Sequence, residues 1–236
     1  MPRDQQFGKH PVTSDERRQM IRTVFKSVAT RYNLMNDLMS FGIHRFWKSS
    51  FVKQAAHYSG KNNIDLAGGT GDIAALISRK ASVWVVDPSI EMMTQGRAKK
   101  ADITGWIAAE GEQLPLADGS INLVTIAFGI RNLTSLQGGL IEIHRVIKPG
   151  GWVFCLEFSQ PHWWLRPFYN AYSEHVIPRL GALVAQDSSA YRYLVDSIRS
   201  FPDQTHLERL FAETGFRDVG HRNLSFGIAA IHWGRK

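Results

Sequence analysis

The chain predicts an α/β fold: a seven-stranded, mostly parallel, doubly wound sheet with helices on both faces and a helical cap ahead of the first strand. Three observations carry this. Short apolar runs alternate with amphipathic stretches from residue 63 to residue 158, a spacing that requires right-handed crossovers between parallel strands. The string Asp65-Leu66-Ala67-Gly68-Gly69-Thr70-Gly71-Asp72 leads the first apolar run into a glycine cluster and then a helical pattern. The next two runs also end on acidic residues, Asp87 and Glu110, which concentrates chemistry at one edge of the sheet.

Residues 15–31 read as an amphipathic helix with Ile21, Val24, Phe25 and Val28 on one face and Arg17, Arg18, Arg22, Lys26 and Arg31 on the other. A second apolar pattern spans 33–40, Phe41-Gly42-Ile43-His44 breaks it, and a helix follows over 45–57. Strands are then expected to Ala67, over Val83–Val86, over Trp106–Ala109 and over Ile121–Phe128. Helices over 72–80, 90–100 and 135–147 connect or follow them. Lys148-Pro149-Gly150-Gly151 turns the chain into a fifth strand that ends at Phe158. Asp72 is placed to cap the helix it begins. The sheet pattern stops over about 159–201, an aromatic-rich insertion containing Trp163, Trp164, Phe168, Tyr169 and Tyr172. A helix from Asp203, ended by Gly215, and a closing antiparallel strand over Leu224–His232 complete the chain. The expected organisation is a helical cap over 1–60 and a binding domain over 61–236 that carries the insertion.

A length of 236 residues suits one well-cored domain with a cap or insertion. No apolar run approaches a membrane span, and Met1–Gln6 lacks the apolar core of a secretory signal, so the expected location is cytoplasmic. The single cysteine, Cys155, sits in a buried-strand pattern and is expected to pack. A net charge of +7 points to an acidic partner: nucleic acid, an anionic membrane surface or an anionic cofactor. Histidines, the cysteine and carboxylates do not cluster, so no metal site is expected.

The glycine loop lets backbone approach a nucleotide closely. Gly69, Gly71 and Ala74 even satisfy a dinucleotide pattern, and an acidic residue such as Asp87 can take both ribose hydroxyls of either NAD or S-adenosylmethionine. Acidic positions after three successive strands, with the Pro-Gly-Gly turn into the fifth, resemble a class I (Rossmann-like) methyltransferase. More specific strings are Tyr32-Asn33-Leu34-Met35-Asn36-Asp37-Leu38-Met39-Ser40, Gly42-Ile43-His44-Arg45, Trp47-Lys48, Phe128-Gly129-Ile130-Arg131-Asn132 and Ser189-Ala190-Tyr191-Arg192-Tyr193-Leu194. With these the chain resembles the ubiquinone/menaquinone biosynthesis C-methyltransferases (UbiE type) over nearly its whole length.

The resemblance implies adenosylmethionine as cofactor, with contacts at Thr70, Asp87 and Glu110-Gly111, beside Asp65, Gly69 and Gly71 of the loop and Ala127 at the fourth strand end. Relatives often carry serine at the position of Ala127 and Asp or Asn at that of Glu110. It implies as substrate a polyprenylated quinol, benzoquinol or naphthoquinol, methylated on a ring carbon. Deprotonating a ring hydroxyl pushes charge onto the adjacent carbon, and a cation lowers the phenolic pKa of about 10. Arg131 is expected to supply that cation, Asn132 a hydrogen bond to the same oxygen, and Tyr32 an orienting contact. The base is left among Tyr32, His44, Asp37 and an Arg-polarised water. Because the substrate tail lives in a bilayer, the basic leading helix and the aromatic insertion are expected to touch a membrane surface. An RNA methyltransferase and a non-catalytic quinone-binding protein are the competing readings. The Asn/Asp-Pro-Pro-aromatic string of N-methylating nucleic-acid enzymes is replaced by Phe128-Gly129-Ile130-Arg131, so no nucleic acid is expected. A homodimer is the expected assembly.

Overall fold

A computed structural model describes residues 6–7, 10–28, 36–37, 40–99, 101–176, 179 and 188–236. Seven strands form one sheet: β1 Asn63–Leu66, β2 Trp84–Val86, β3 Gly105–Ile107, β4 Ile121–Ala127, β5 Ile147–Phe158, β6 Arg217–Leu224 and β7 Ala229–Arg235. Their spatial order is β3-β2-β1-β4-β5-β7-β6. Neighbours from β3 to β5 are parallel, and β7 runs antiparallel to both β5 and β6. Strand order therefore reverses between β1 and β4, and an open α/β sheet binds ligands outside the carboxyl ends at such a point.

The helices are α1 Ser14–Val28, α2 Ile43–Ala55, α3 Asp72–Ile77, α4 Ile90–Ala98, α5 Leu136–Val146, α6 Arg166–Ala171, α7 Ser188–Arg199 and α8 Gln204–Thr214. A π-turn over Tyr172–Val176 extends α6. Small polar residues start several of them. Ser89, Ser135 and Asp203 each accept a backbone N–H from the first turn of the helix they precede. Gly215, at φ 107°, ends α8 in the left-handed conformation, as expected.

Each face of the sheet carries its own core. One gathers Ile64, Ile126, Leu140, Ile143 and Phe211 under α5 and α8. The other gathers Trp47, Phe51, Ile73, Leu123 and Phe154 under α2 and α3. Phe51 and Ala55 are fully buried, so α2 belongs to the core of the sheet. Cys155 is buried in β5, and burial holds its thiol well above the ordinary range, as a packing residue requires.

Three expectations are corrected. The closing strand does not run unbroken over 224–232: β6 and β7 meet at Ser225–Gly227, where Ser225, Phe226 and Gly227 all have positive φ. The polar run Arg217-Asp218-Val219-Gly220-His221-Arg222-Asn223 hid β6, an edge strand with no apolar alternation. The basic face of α1, expected to touch a membrane surface as a whole, loses Arg17 to the interior, while the Arg18, Arg22 and Lys26 side chains stay 41%, 55% and 71% exposed. Arg17 is only 3% exposed and donates to the Leu133 carbonyl at 2.7 Å, Arg22 pairs with Glu110, and Lys26 lies 3.7 Å from Glu91. Asp72 does not cap α3. Gly71 occupies the cap position without a side-chain bond, and the Asp72 carboxylate turns to Lys48 and Lys99 at 2.9 and 2.6 Å. Among the described residues, no helix is long and apolar enough to cross a membrane.

Candidate active site

The carboxyl ends of β1, β2 and β4 surround one open cleft. Asp65, in the last turn of β1, is fully buried. Its Oδ1 accepts the Thr125 hydroxyl at 2.9 Å and its Oδ2 accepts the Ala74 N–H at 3.2 Å. Burial pushes its pKa up to about 7 against those two bonds. A side chain at position 68 would come within 2.7 Å of that same Oδ2, so glycine is required there. Gly71 does not line the cleft. Its φ of 73° starts α3, and any Cβ would strike Trp106 at 2.8 Å.

Asp87 ties β2 to the loop. Its Oδ2 accepts the Gly69 N–H and its Oδ1 accepts the Ser89 N–H, each at 2.8 Å. Burial, the dominant influence, raises its pKa to about 6, and nearby Glu110 adds to the rise. Two carboxylate oxygens offer about four acceptor sites, and these two bonds leave capacity for a pair of ligand hydroxyls. Asp65, Gly69, Thr70, Asp87, Glu110, Gly111, Ala127 and Asn132 all line the cleft. Ala67 and Phe128, the residues that follow β1 and β4, have φ of 50° and 57°. Non-glycine residues adopt that region at a cost, and such strain collects at ligand-binding turns.

Arg131 stands behind this wall. Its side chain is 5% exposed, and Nη1 donates to Glu157 Oε1 at 2.7 Å and to the Phe128 carbonyl at 2.5 Å. The guanidinium also lies 5.5 Å from the centre of the Phe158 ring. The sequence places Arg131 at the end of the fourth strand, but the chain bends so that Asn132, not Arg131, meets the cleft. Asn132 Oδ1 accepts the Tyr193 hydroxyl at 3.1 Å. Tyr32 lies outside the described residues. Of the other candidate bases, His44 is bonded to Ser40 at 2.8 Å and held below its usual range, chiefly by burial. Asp37 accepts two bonds from Arg45 that keep it ionised. Neither lines the cleft.

Several residues were not read from sequence as belonging to the site: Glu157, Arg17 behind the turn, Arg22 as a partner of Glu110, and Lys48 on the cleft wall. An acidic residue inside the apolar run of β5 was the available signal for Glu157. The others are brought in by α1 and α2, whose docking no local pattern encodes.

The chain matches the ubiE/COQ5 methyltransferase family over residues 12–236. It is 55% identical to a ubiquinone/menaquinone biosynthesis C-methyltransferase UbiE from Rubrivivax gelatinosus, covering 100% of this chain and 94% of that one. To the protein of the same description from Erwinia tasmaniensis it is 44% identical, covering 98% and 96%. Among solved structures, a SAM-dependent methyltransferase from Thermotoga maritima superposes with a TM-score of 0.65 at 20% identity, covering 91% of this chain and 99% of that one. At that identity the likeness speaks for the fold.

Proposed function

The chain belongs to the ubiE/COQ5 methyltransferase family and is an S-adenosylmethionine-dependent C-methyltransferase of ubiquinone and menaquinone biosynthesis; from that premise we propose that it methylates a ring carbon of a polyprenylated quinol held against the 130–134 turn. The convergence of Thr70, Asp87, Glu110, Gly111 and Asn132 on one cleft carries this reading. When bound, adenosylmethionine supplies an electrophilic methyl carbon. Asp87 would hold its ribose, Glu110 and Gly111 its adenine, and Asp65, Gly69, Thr70 and Ala127 the walls between, with Gly71 shaping the loop.

Methyl transfer is an in-line displacement, so holding donor and acceptor in line supplies much of the rate. The ring carbon becomes nucleophilic when the neighbouring hydroxyl loses its proton. Asn132 is the amide on the cleft wall at the β4 end, and it would hydrogen-bond that oxygen. The Tyr193 hydroxyl occupies Asn132 Oδ1 and one amide N–H donates to the Phe128 carbonyl at 3.4 Å, which leaves the second N–H for an anionic oxygen. Arg131 would act from behind, bracing the turn through Phe128 and Glu157. Its charge is matched by Glu157, so its pull on a phenolate is smaller than that of a lone cation. Tyr32 is the proposed orienting residue. The test is a reaction with a short-chain quinol and adenosylmethionine, with the new methyl located by mass spectrometry and NMR. A ring C-methyl product supports the reading, and an O-methyl product overturns it.

Membrane contact and a cytoplasmic location at the inner membrane face are part of the same proposal, with a changed surface. Trp163 is 80% exposed and Phe168 73%, and Trp164 stacks edge-on against exposed Phe226. Phe41, 83% exposed, lies against Tyr172. This aromatic surface is the proposed entrance for the tail, and the exposed Arg18, Arg22 and Lys26 of α1 are the proposed attraction to anionic lipid, without the buried Arg17. Co-sedimentation with anionic liposomes tests it: Trp163→Ala/Trp164→Ala should reduce binding, while Arg17→Gln should change it little. Wild-type protein that ignores such vesicles would end the membrane proposal.

A further inference from the structure

α7 packs against both α1 and the turn that follows β4, and it carries Tyr193 to that turn. Tyr193 is buried, and its hydroxyl donates to Asn132 Oδ1 at 3.1 Å. It belongs to the Ser189-Ala190-Tyr191-Arg192-Tyr193-Leu194 string, 61 residues beyond the amide it meets. The far end of α7 is held by Arg199, which pairs with Glu174 at 2.6 Å. Val195 and Ile198, on another face of the helix, line a second cavity together with Ser159 and Tyr169. The phenol is therefore anchored from two sides of its helix, and it ends on one side chain of the cleft wall.

A primary amide has two unlike ends, and half a turn about its last side-chain bond exchanges acceptor for donor. Asn132 Nδ2 lies 3.4 Å from the Phe128 carbonyl, a long contact to an oxygen that already accepts Arg131 Nη1 at 2.5 Å. The Tyr193 hydroxyl is the nearer partner, and by donating it keeps Oδ1 on its own side. The group that Asn132 shows to the cleft is then an N–H. An N–H bonds an ionised oxygen about twice as strongly as a neutral one, so it lowers the pKa of a ring hydroxyl it meets. An Oδ1 turned to the cleft would do the reverse, accepting the hydroxyl proton and holding it in place.

We propose that Tyr193 is a positioning residue: it fixes the Asn132 amide so that an N–H, and not the carbonyl oxygen, faces the ring hydroxyl of the methyl acceptor. This rests on the reading of Asn132 as the amide that meets that oxygen. The charged groups around the turn are Arg17 and Arg18 from α1, Arg131 on the turn itself and Glu157 from β5. The three guanidiniums stay charged across an assay range of about pH 6 to 9. The experiment is kcat against pH in that range with a short-chain quinol, on wild type, Tyr193→Phe, Asn132→Ala and the double variant, and with 4-aminophenylalanine incorporated at position 193. Tyr193→Phe should lower kcat about three- to tenfold near pH 7, the range of one neutral hydrogen bond, and raise the apparent pKa of the rising limb by about 0.5–1 unit. Its KM for adenosylmethionine should stay within about twofold of wild type, because the cofactor side keeps its own bonds. The amine of 4-aminophenylalanine restores a donor on a ring of the same outline and should return the wild-type profile. In the Asn132→Ala background, Tyr193→Phe should change kcat by less than about twofold, because the two residues act as a unit.

A lower kcat with an unmoved apparent pKa, or a loss that adds in full to that of Asn132→Ala, would make Tyr193 merely structural and overturn the proposal. Should Tyr193→Phe fail to fold, the 4-aminophenylalanine protein still decides: an unshifted profile supports the donor role, and a shifted one overturns it. Asn132→Ala with the wild-type profile would overturn the proposal from beneath, by removing Asn132 from the acceptor's oxygen. An Asn132→Ala profile that shifts while that of Tyr193→Phe does not would leave the reading of Asn132 standing and end the role of Tyr193.

Discussion

The two walls of the cleft are built differently. On the β1–β3 side, the strand-end carboxylates bond mainly to backbone N–H groups within eighteen residues, Asp65 to Ala74 and Asp87 to Gly69 and Ser89, with Thr125 and Arg22 reaching Asp65 and Glu110 from farther off. On the β4 side, the 130–134 turn is braced from afar. Arg17 reaches Leu133 from 116 residues upstream, Tyr193 reaches Asn132 from 61 residues downstream, and Glu157 holds Arg131 from the next strand. The first wall, proposed to bind the nucleoside, rests largely on local bonds. The second, proposed to face the methyl acceptor, is assembled only when α1, α7 and β5 have docked.

The largest way to break that contrast is Arg131→Ala. It leaves Glu157 charged, buried and unpaired, and should destabilise the protein by about 3–5 kcal/mol. Chemical denaturation measures this. Arg131→Met/Glu157→Leu, which removes both charges, should recover most of the loss. If that double variant also turned over a short-chain quinol at the wild-type rate, Arg131 would have no part in the chemistry.

On the other wall, Asp87→Ala should fold but lose about 1.5–3 kcal/mol of adenosylmethionine binding, roughly ten- to a hundred-fold. Unchanged affinity in a folded variant would remove the ribose assignment.

The pH dependence sharpens the same residue. Ribose hydroxyls donate to an ionised Asp87, so binding favours the form that dominates above its pKa of about 6. Affinity should hold level above pH 6 and fall as pH drops below it, by at most about tenfold per unit. Asp87→Asn should flatten that slope. In the ligand-free protein the sign is opposite. Asp65 and Asp87 titrate at about 7 and 6, above their unfolded value of 3.8, so the folded state holds extra protons in that interval. Their contribution to stability therefore declines as pH rises from about 4 to 7.

The smallest effect is expected at Arg22→Ala. The pair it makes with Glu110 is half exposed, a class worth about 0.2–1 kcal/mol. Its loss should change donor affinity by no more than a few-fold, and a larger change would mean that α1 does more than cover the cleft.

Asp65, Asp87, Glu110 and the glycine loop were readable because each depends on neighbours only a few residues away: an apolar run, a tight turn, a helix start. The parallel order of the first five strands comes from the same alternation, since each crossover admits one hand. The Phe-Gly-Ile-Arg-Asn string marked the right turn but not which of its side chains faces the ligand. That was decided by the left-handed Phe128 and by Glu157, whose carboxylate draws Arg131 inward and leaves Asn132 on the cleft wall. β6 escaped notice because an edge strand has little apolar alternation to show. Arg17 reads in sequence as one more residue of a basic helix face, because a cation bound for the surface and one bound for a distant carbonyl are written alike. Local chemistry made the wall proposed for the nucleoside legible in sequence. The geometry of the opposite wall was left to tertiary structure, because a buried charge takes its place from partners that only folding brings near.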